Sequence, residues 1–109
     1  MRNPLQSVLE GQVGQMQRNI TRALEELEVA EIEGSAGGSA VKVRMTGAGQ
    51  VLSVEISPAA VEPEDLELLQ DLVCAAMRDA IAKATALKRE KLMSATPFGA
   101  LGMEMPDVF

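Results

Sequence analysis

The stretch AVKVRMTGAGQVLSVEI, residues 40–56, decides the fold. Val41, Val43 and Met45 alternate with Lys42, Arg44 and Thr46, the period of a strand with one buried face. Gly47-Ala48-Gly49 reads as a hairpin turn whose glycines supply positive φ. Leu52, Val54 and Ile56 then alternate with Ser53, Glu55 and Ser57, and Ser57-Pro58 ends the return strand. Upstream, Gly34-Ser35-Ala36-Gly37-Gly38-Ser39 is too costly for a helix and reads as a loop. Glu28 to Glu33, with Val29 and Ile32, fits either a helix end or a first strand. The centre of the chain is therefore an antiparallel sheet of two to three strands.

Long helices flank it. Leu9, Val13, Met16, Ile20, Ala23, Leu27 and Ala30 are spaced 4-3-4-3-4-3, a heptad seam. Pro4 is tolerated near a helix start, and a helix over 5–30 would be about 39 Å long. A second helix is predicted from near Pro63, with Glu64, Asp65 and Glu67 in its first turn, where the dipole favours acids. Leu66, Leu69, Leu72, Val73, Ala76 and Met77 open an apolar stripe that runs on to Leu87. Lys88, Arg89 and Lys91 occupy its last turns, and residues 64–92 would span about 43 Å. A compact domain of this size has a radius of gyration near 13 Å, so both helices outreach it. A homodimer is the simplest cover for the seams. Its candidate interface is Val13, Met16, Ile20, Leu27, Val43, Val54, Leu69 and Val73. The fold class is α+β, one domain over 1–93, with a Gly/Pro/Met tail over 94–109 predicted to be disordered.

Composition removes most chemistry. The 109 residues include no His, Trp or Tyr, one Cys and two Phe. Without His, Ser-His-Asp and Cys-His catalysis and His-containing zinc sites are excluded. A single Cys forms neither an internal disulfide nor a Cys-rich metal site. Two Phe make no stacking platform for single-stranded bases. No signal core and no stretch near the roughly 18 apolar residues of a membrane span is present, so a cytoplasmic protein with no membrane partner, cofactor or small-molecule substrate is expected. The formal charge is −6, but it is segregated. Residues 59–74 hold five acids and no base, whereas residues 75–94 hold five bases and two acids.

Met16-Gln17, Gly37-Gly38, Val41-Lys42-Val43, Gly47-Ala48-Gly49, Val51 to Ile56, and the acidic entry into Leu66–Met93 come in an order that resembles the YbaB/EbfC family of bacterial nucleoid-associated proteins. The resemblance covers roughly residues 10–95. Two features depart from the family pattern. Ser57 stands where Asp usually precedes Pro58, and the first helix offers only Arg2, Arg18 and Arg22 as cations. The resemblance implies a tweezer-shaped cytoplasmic homodimer, with its sheets at the centre and its helical arms gripping double-stranded DNA. It implies no catalysis, and a role in nucleoid organisation and gene regulation. The alternative is a homodimeric protein-interaction module that binds DNA weakly or not at all.

The candidate DNA contacts are the cations off the apolar seams. Arg18 and Arg22 lie one turn apart on one face of the first helix, where the competing role is a solvated face with Arg22 paired to Glu25 or Glu26. Arg78, Lys83, Lys88, Arg89 and Lys91 make the second helix basic. That is more than capping requires, and suited to sequence-independent phosphate neutralisation. Lys42 and Arg44 read as a solvated strand face. Cys74 reads as a small buried or interface hydrophobe, and the acids from Glu62 to Asp71 as a helix entry rather than a metal site.

Overall fold

The computed structural model describes residues 4–96. Their order is α1 (Pro4–Val29), β1 (Glu31–Ala36), β2 (Val41–Thr46), β3 (Val51–Ile56), a short 3-10 turn (Pro58–Ala60) and α2 (Leu66–Ala95). The three strands form one antiparallel sheet in the order β1-β2-β3. Val43 sits opposite both Gly34 and Val54, and Val41 opposite both Ala36 and Ile56. Directly opposed residues share a face. Gly34, Ala36, Val41, Val43, Val54 and Ile56 therefore all point to the side on which α2 lies.

The core is small and made of short side chains. Val41, Val43 and Met45 of β2 pack on Ala76, Ala80 and Ala84 of α2. Alanines at this spacing line one helix face and let the helix backbone come close to the sheet. Gly34 shows how close. A Cβ built on it would lie 2.5 Å from the Ala76 carbonyl oxygen and 2.7 Å from the Ala80 Cα. This corrects the reading of Gly34 to Ser39 as a loop. Gly34, Ser35 and Ala36 are strand, and glycine is present at 34 for space, not for a turn.

Other boundaries also move. Val29 ends α1 and Glu31 starts β1, which settles the ambiguous stretch in favour of a third strand. In the β2–β3 turn only Gly49 has positive φ, at 93°. Gly47 is there because Leu27 and Leu87 leave no room for a side chain. α2 begins at Leu66, not near Pro63, because the Asp65 carboxylate caps it by accepting from the Leu68 N–H. It runs on to Ala95, so its last turn carries no cation, and dipole complementation does not explain Lys88, Arg89 or Lys91. Residues 94 and 95 are helix, across the expected domain boundary, while the rest of the tail from 97 lies outside the described residues.

The molecule is elongated, 77 × 23 × 17 Å with a radius of gyration of 20.0 Å. At 1.5 Å per residue α1 is about 39 Å long and α2 about 45 Å. Leu87 of α2 meets Leu27 of α1 beside Gly47, and Lys91 pairs with Glu26 at 2.9 Å. The two helices therefore run antiparallel where they touch, and the N-terminal half of α1 projects beyond the end of α2.

The expected dimer positions fall into three groups. Leu27 and Val43 are fully buried within the single chain and have no surface to offer a partner. Leu69 and Val73 are half-buried against the same core. Ile20 and Met16 are half-buried on α1. Val13 and Val54 are exposed. β3 is expected from its alternation to bury one face, yet Val51, Leu52, Val54 and Ile56 are each exposed by 40–45%. A register shift opposite Arg44/Met45 adds Leu52 as an extra residue and bends the strand there.

Candidate nucleic-acid interface

The cations that the sequence groups into one basic helix end are separated by the fold. Arg78 and Arg89 are eleven residues apart, three turns of helix, so they line one flank of α2 about 16 Å apart. Both are exposed. Lys88 is on the neighbouring row and half-buried. It borders a shallow hollow with Ile81, Thr85 and the turn residues Gly47 to Gly49.

Lys83 and Lys91 face other ways. Lys83 Nζ reaches Asp79 at 3.0 Å and donates to the Glu33 carbonyl oxygen at 3.0 Å, holding α2 to β1. Asp79 also accepts from the Ser35 N–H at 3.0 Å. That backbone bond, followed by the Lys83 bond, keeps the Asp79 carboxyl below the usual carboxylate range. Lys91 Nζ donates to Glu26 on α1. This bond and its charge lower the Glu26 pKa, with a smaller contribution from Arg22. Both lysines thus brace one element against another. Sequence spacing could not show this, because Glu26 is 65 residues from Lys91 and Glu33 is 50 from Lys83.

On α1, Arg18 and Arg22 share a face with Gly14, Gln17, Thr21 and Glu25. Arg18 donates to the Gln15 side chain at 3.0 Å. Arg22 also borders the groove between the helices, an open volume of about 440 Å³, whose walls include Asn19, Glu26, Glu90 and Lys91. The polar sheet face holds Arg44, paired with Glu31 at 2.8 Å. Cys74 is free and exposed in the single chain, so of a buried or an interface hydrophobe only the interface reading stays open. Among the described residues no group of three His, Cys, Asp or Glu is placed to hold a metal ion, and no helix is long and apolar enough to cross a membrane.

Residues 3–100 match a family model described as the YbaB/EbfC DNA-binding family. The chain belongs to the YbaB/EbfC family. Among its relatives, a nucleoid-associated protein of Mycobacterium tuberculosis (strain ATCC 25177 / H37Ra) is 44% identical over 86 residues, which are 79% of this chain and 65% of that protein. This YbaB/EbfC chain thus spans somewhat less than two thirds of the length of its first mycobacterial relatives. A nucleoid-associated protein of Chloroflexus aurantiacus (strain ATCC 29366 / DSM 635 / J-10-fl) is 45% identical over 82 residues, covering 75% of this chain and 82% of the other. An uncharacterized protein from Helicobacter pylori, known from a crystal structure, has the same fold. Its TM-score is 0.66 at 22% identity, covering 94% of this chain and all of that one.

Proposed function

We propose that this protein is a nucleoid-associated protein that binds double-stranded DNA in the bacterial cytoplasm, as a homodimer and without catalysis. The observation that carries the reading is membership of a DNA-binding family in a chain whose exposed cations lie on projecting helices. Arg78 and Arg89 on α2, with Arg18 and Arg22 on α1, are the outward contacts. Lys88 supports them from the neighbouring row. Lys83 and Lys91 contribute positive potential while bracing the arms. Contacts of this kind go to phosphate and carry no sequence information. The names of the relatives favour a role in nucleoid organisation, and gene regulation would follow from occupancy.

In this reading the dimer forms on the uncovered β3 face, where Val54 is joined by Val51, Leu52 and Ile56. The face continues the sheet surface that α2 covers over β1 and β2, and four large apolar side chains in one six-residue strand are costly to leave in water. The arms of two chains then diverge from a common centre.

The test is an electrophoretic shift on random-sequence duplex at several salt concentrations. The intact protein is expected to bind with an affinity that falls steeply with salt. Replacing Arg78 and Arg89 together by Ala should weaken binding equally on unrelated duplexes, and flatten the log–log salt slope by about 0.9 for each phosphate no longer neutralised. An unchanged affinity and slope would remove the assignment of these residues. No shift at low salt would remove the DNA-binding reading itself.

A further inference from the structure

The sheet has two edge strands, β1 and β3, and the chain finishes them differently. In an antiparallel ladder alternate residues turn both backbone groups to the same neighbour. The Ser35 N–H donates to Asp79 Oδ2 at 3.0 Å, and the Glu33 carbonyl accepts from Lys83 Nζ at 3.0 Å. Glu33 and Ser35 therefore point outward from β1, while Gly34 between them faces Val43 of β2. The same Asp79 oxygen also holds Lys83 Nζ at 3.0 Å. One carboxylate and one ammonium, a turn apart on α2, thus occupy an adjacent donor and acceptor in the middle of the β1 edge. Both side chains stay partly exposed, and an exposed ion pair alone contributes little to stability. What this pair adds is its seat on backbone groups that a further strand would need.

At the other edge, Ser53 and Glu55 of β3 lie opposite Arg44 and Lys42, and the Ser57 N–H reaches the Ala40 carbonyl. By the same alternation Val54 and Ile56 turn their backbone groups away from the sheet, and their side chains are exposed. Two open edges on opposite sides of one sheet would let the β3 of one copy add to the β1 of the next. That contact is heterologous, does not close, and grows head to tail. Closing the β1 edge leaves only β3 against β3, an isologous contact that ends at two copies.

We propose that Asp79 and Lys83 close the β1 edge against the β3 strand of a second copy, and so stop this chain from assembling head to tail. Only the parent's expected stoichiometry rests on the dimer proposed above. A monomeric parent would remove that dimer and leave the comparison of variant with parent intact, and DNA binding does not enter.

The test compares the full chain carrying Asp79→Ala and Lys83→Ala with the parent, by analytical ultracentrifugation over a range of concentrations. The far-ultraviolet spectrum checks that both are folded. The parent should hold one mass. The double variant's average mass should rise with concentration to about twofold the parent's or more and fall again on dilution, as an open chain of copies requires. Adding Val54→Glu to the double variant should abolish the rise. A folded double variant with the parent's mass at every concentration overturns the proposal, and so does a rise that survives Val54→Glu. Lys83→Ala alone keeps the Asp79 bond to Ser35 and frees only the Glu33 carbonyl, so it carries the test if the double variant does not fold. Its mass should rise less steeply, and the parent's mass throughout would again overturn the proposal.

Discussion

Replacing Gly34 by Ala adds one methyl group at the closest approach of α2 to the sheet. That methyl would stand 2.5 Å from the Ala76 carbonyl oxygen and 2.7 Å from the Ala80 Cα, with the Ala80 nitrogen also against it. Ordinary contact needs about 3.5–4.0 Å, so helix and sheet must separate locally by about 1 Å. All three obstructing atoms belong to backbone, and no rotamer change relieves them. Overpacking costs about 1–3 kcal/mol, and a backbone-to-backbone clash belongs at the upper end. The entropy gained by removing a strand glycine returns only about 0.5–1 kcal/mol. The net loss is therefore about 2 kcal/mol, a fall in melting temperature of about 8–16 °C for a domain of this size. Gly38→Ala is the control. It meets nothing within 4 Å but holds φ at +64°, so it costs only the left-handed penalty of about 1–2 kcal/mol, with no shift of α2. Urea unfolding monitored by circular dichroism measures both. Chemical shifts along Ala76–Ala84 should move in Gly34→Ala and stay in place in Gly38→Ala. A Gly34→Ala protein with the parent's midpoint and unmoved α2 shifts would refute the claim that alanine and glycine set the helix–sheet distance.

Three other outcomes rest on the same contacts. Val54→Glu should convert a dimer to a monomer by light scattering while leaving the far-ultraviolet spectrum intact; a dimer that survives would move the interface off β3. Asp79 is held below the usual carboxylate pKa of about 4, first by the Ser35 N–H and then by Lys83. Its ionised form is therefore favoured by folding, a contribution complete above that value and lost as pH falls through the folded-state pKa. Asp79→Asn should accordingly be less stable than the parent at pH 7, with the gap narrowing as pH falls below about 4, read from urea midpoints; a gap that stays constant on acidification would contradict the linkage. Lys91→Ala should loosen the end of α1 against α2, seen as faster amide exchange around Glu26, with a smaller change in DNA affinity than the Arg78/Arg89 double variant produces.

The elements legible in the sequence are those with a simple period. β2 and β3 announce themselves by alternation and a Gly-x-Gly turn, and α1 by its heptad seam, because each signal repeats over several residues. β1 is only half legible, because Glu31 to Glu33 fit a helix end as well as a strand and Gly34 to Ala36 sit in the loop-like composition GSAGGS. The reason for Gly34 is a contact with Ala76 and Ala80, more than forty residues away, and local rules carry no information at that range. The candidate cations are equally visible by type, but not by direction. Sequence proximity groups Lys83 and Lys91 with Arg89, yet their partners are a β1 carbonyl and an α1 carboxylate. The exposure of β3 has a related cause. Its alternation is that of a half-buried strand, and α2 is too narrow to cover three strands, so the burial the pattern anticipates has to come from outside the chain.

A net charge of −6 sits uneasily with a polyanionic partner until the charges are placed along α2. Asp71 and Arg89 are eighteen residues apart, about 27 Å on a continuous helix. The Debye length at physiological salt is about 8 Å. Coulomb repulsion between Asp71 and a phosphate at Arg89 is about 0.15 kcal/mol in unscreened water, and screening reduces it about thirtyfold. A phosphate at Arg78 lies nearer, about 10 Å from Asp71. The repulsion there is about 0.4 kcal/mol unscreened and about 0.1 kcal/mol at physiological salt. Neither value offsets a charge-assisted contact to phosphate, worth about 1.5–3 kcal/mol. The acidic entry of α2 thus costs little at the cationic flank and still disfavours phosphate at the N-terminal end of the helix. On this arrangement the negative total and a DNA-binding arm are compatible, because the acidic entry precedes the cations on one rigid helix and the two acids among them, Asp79 and Glu90, are outnumbered by five cations.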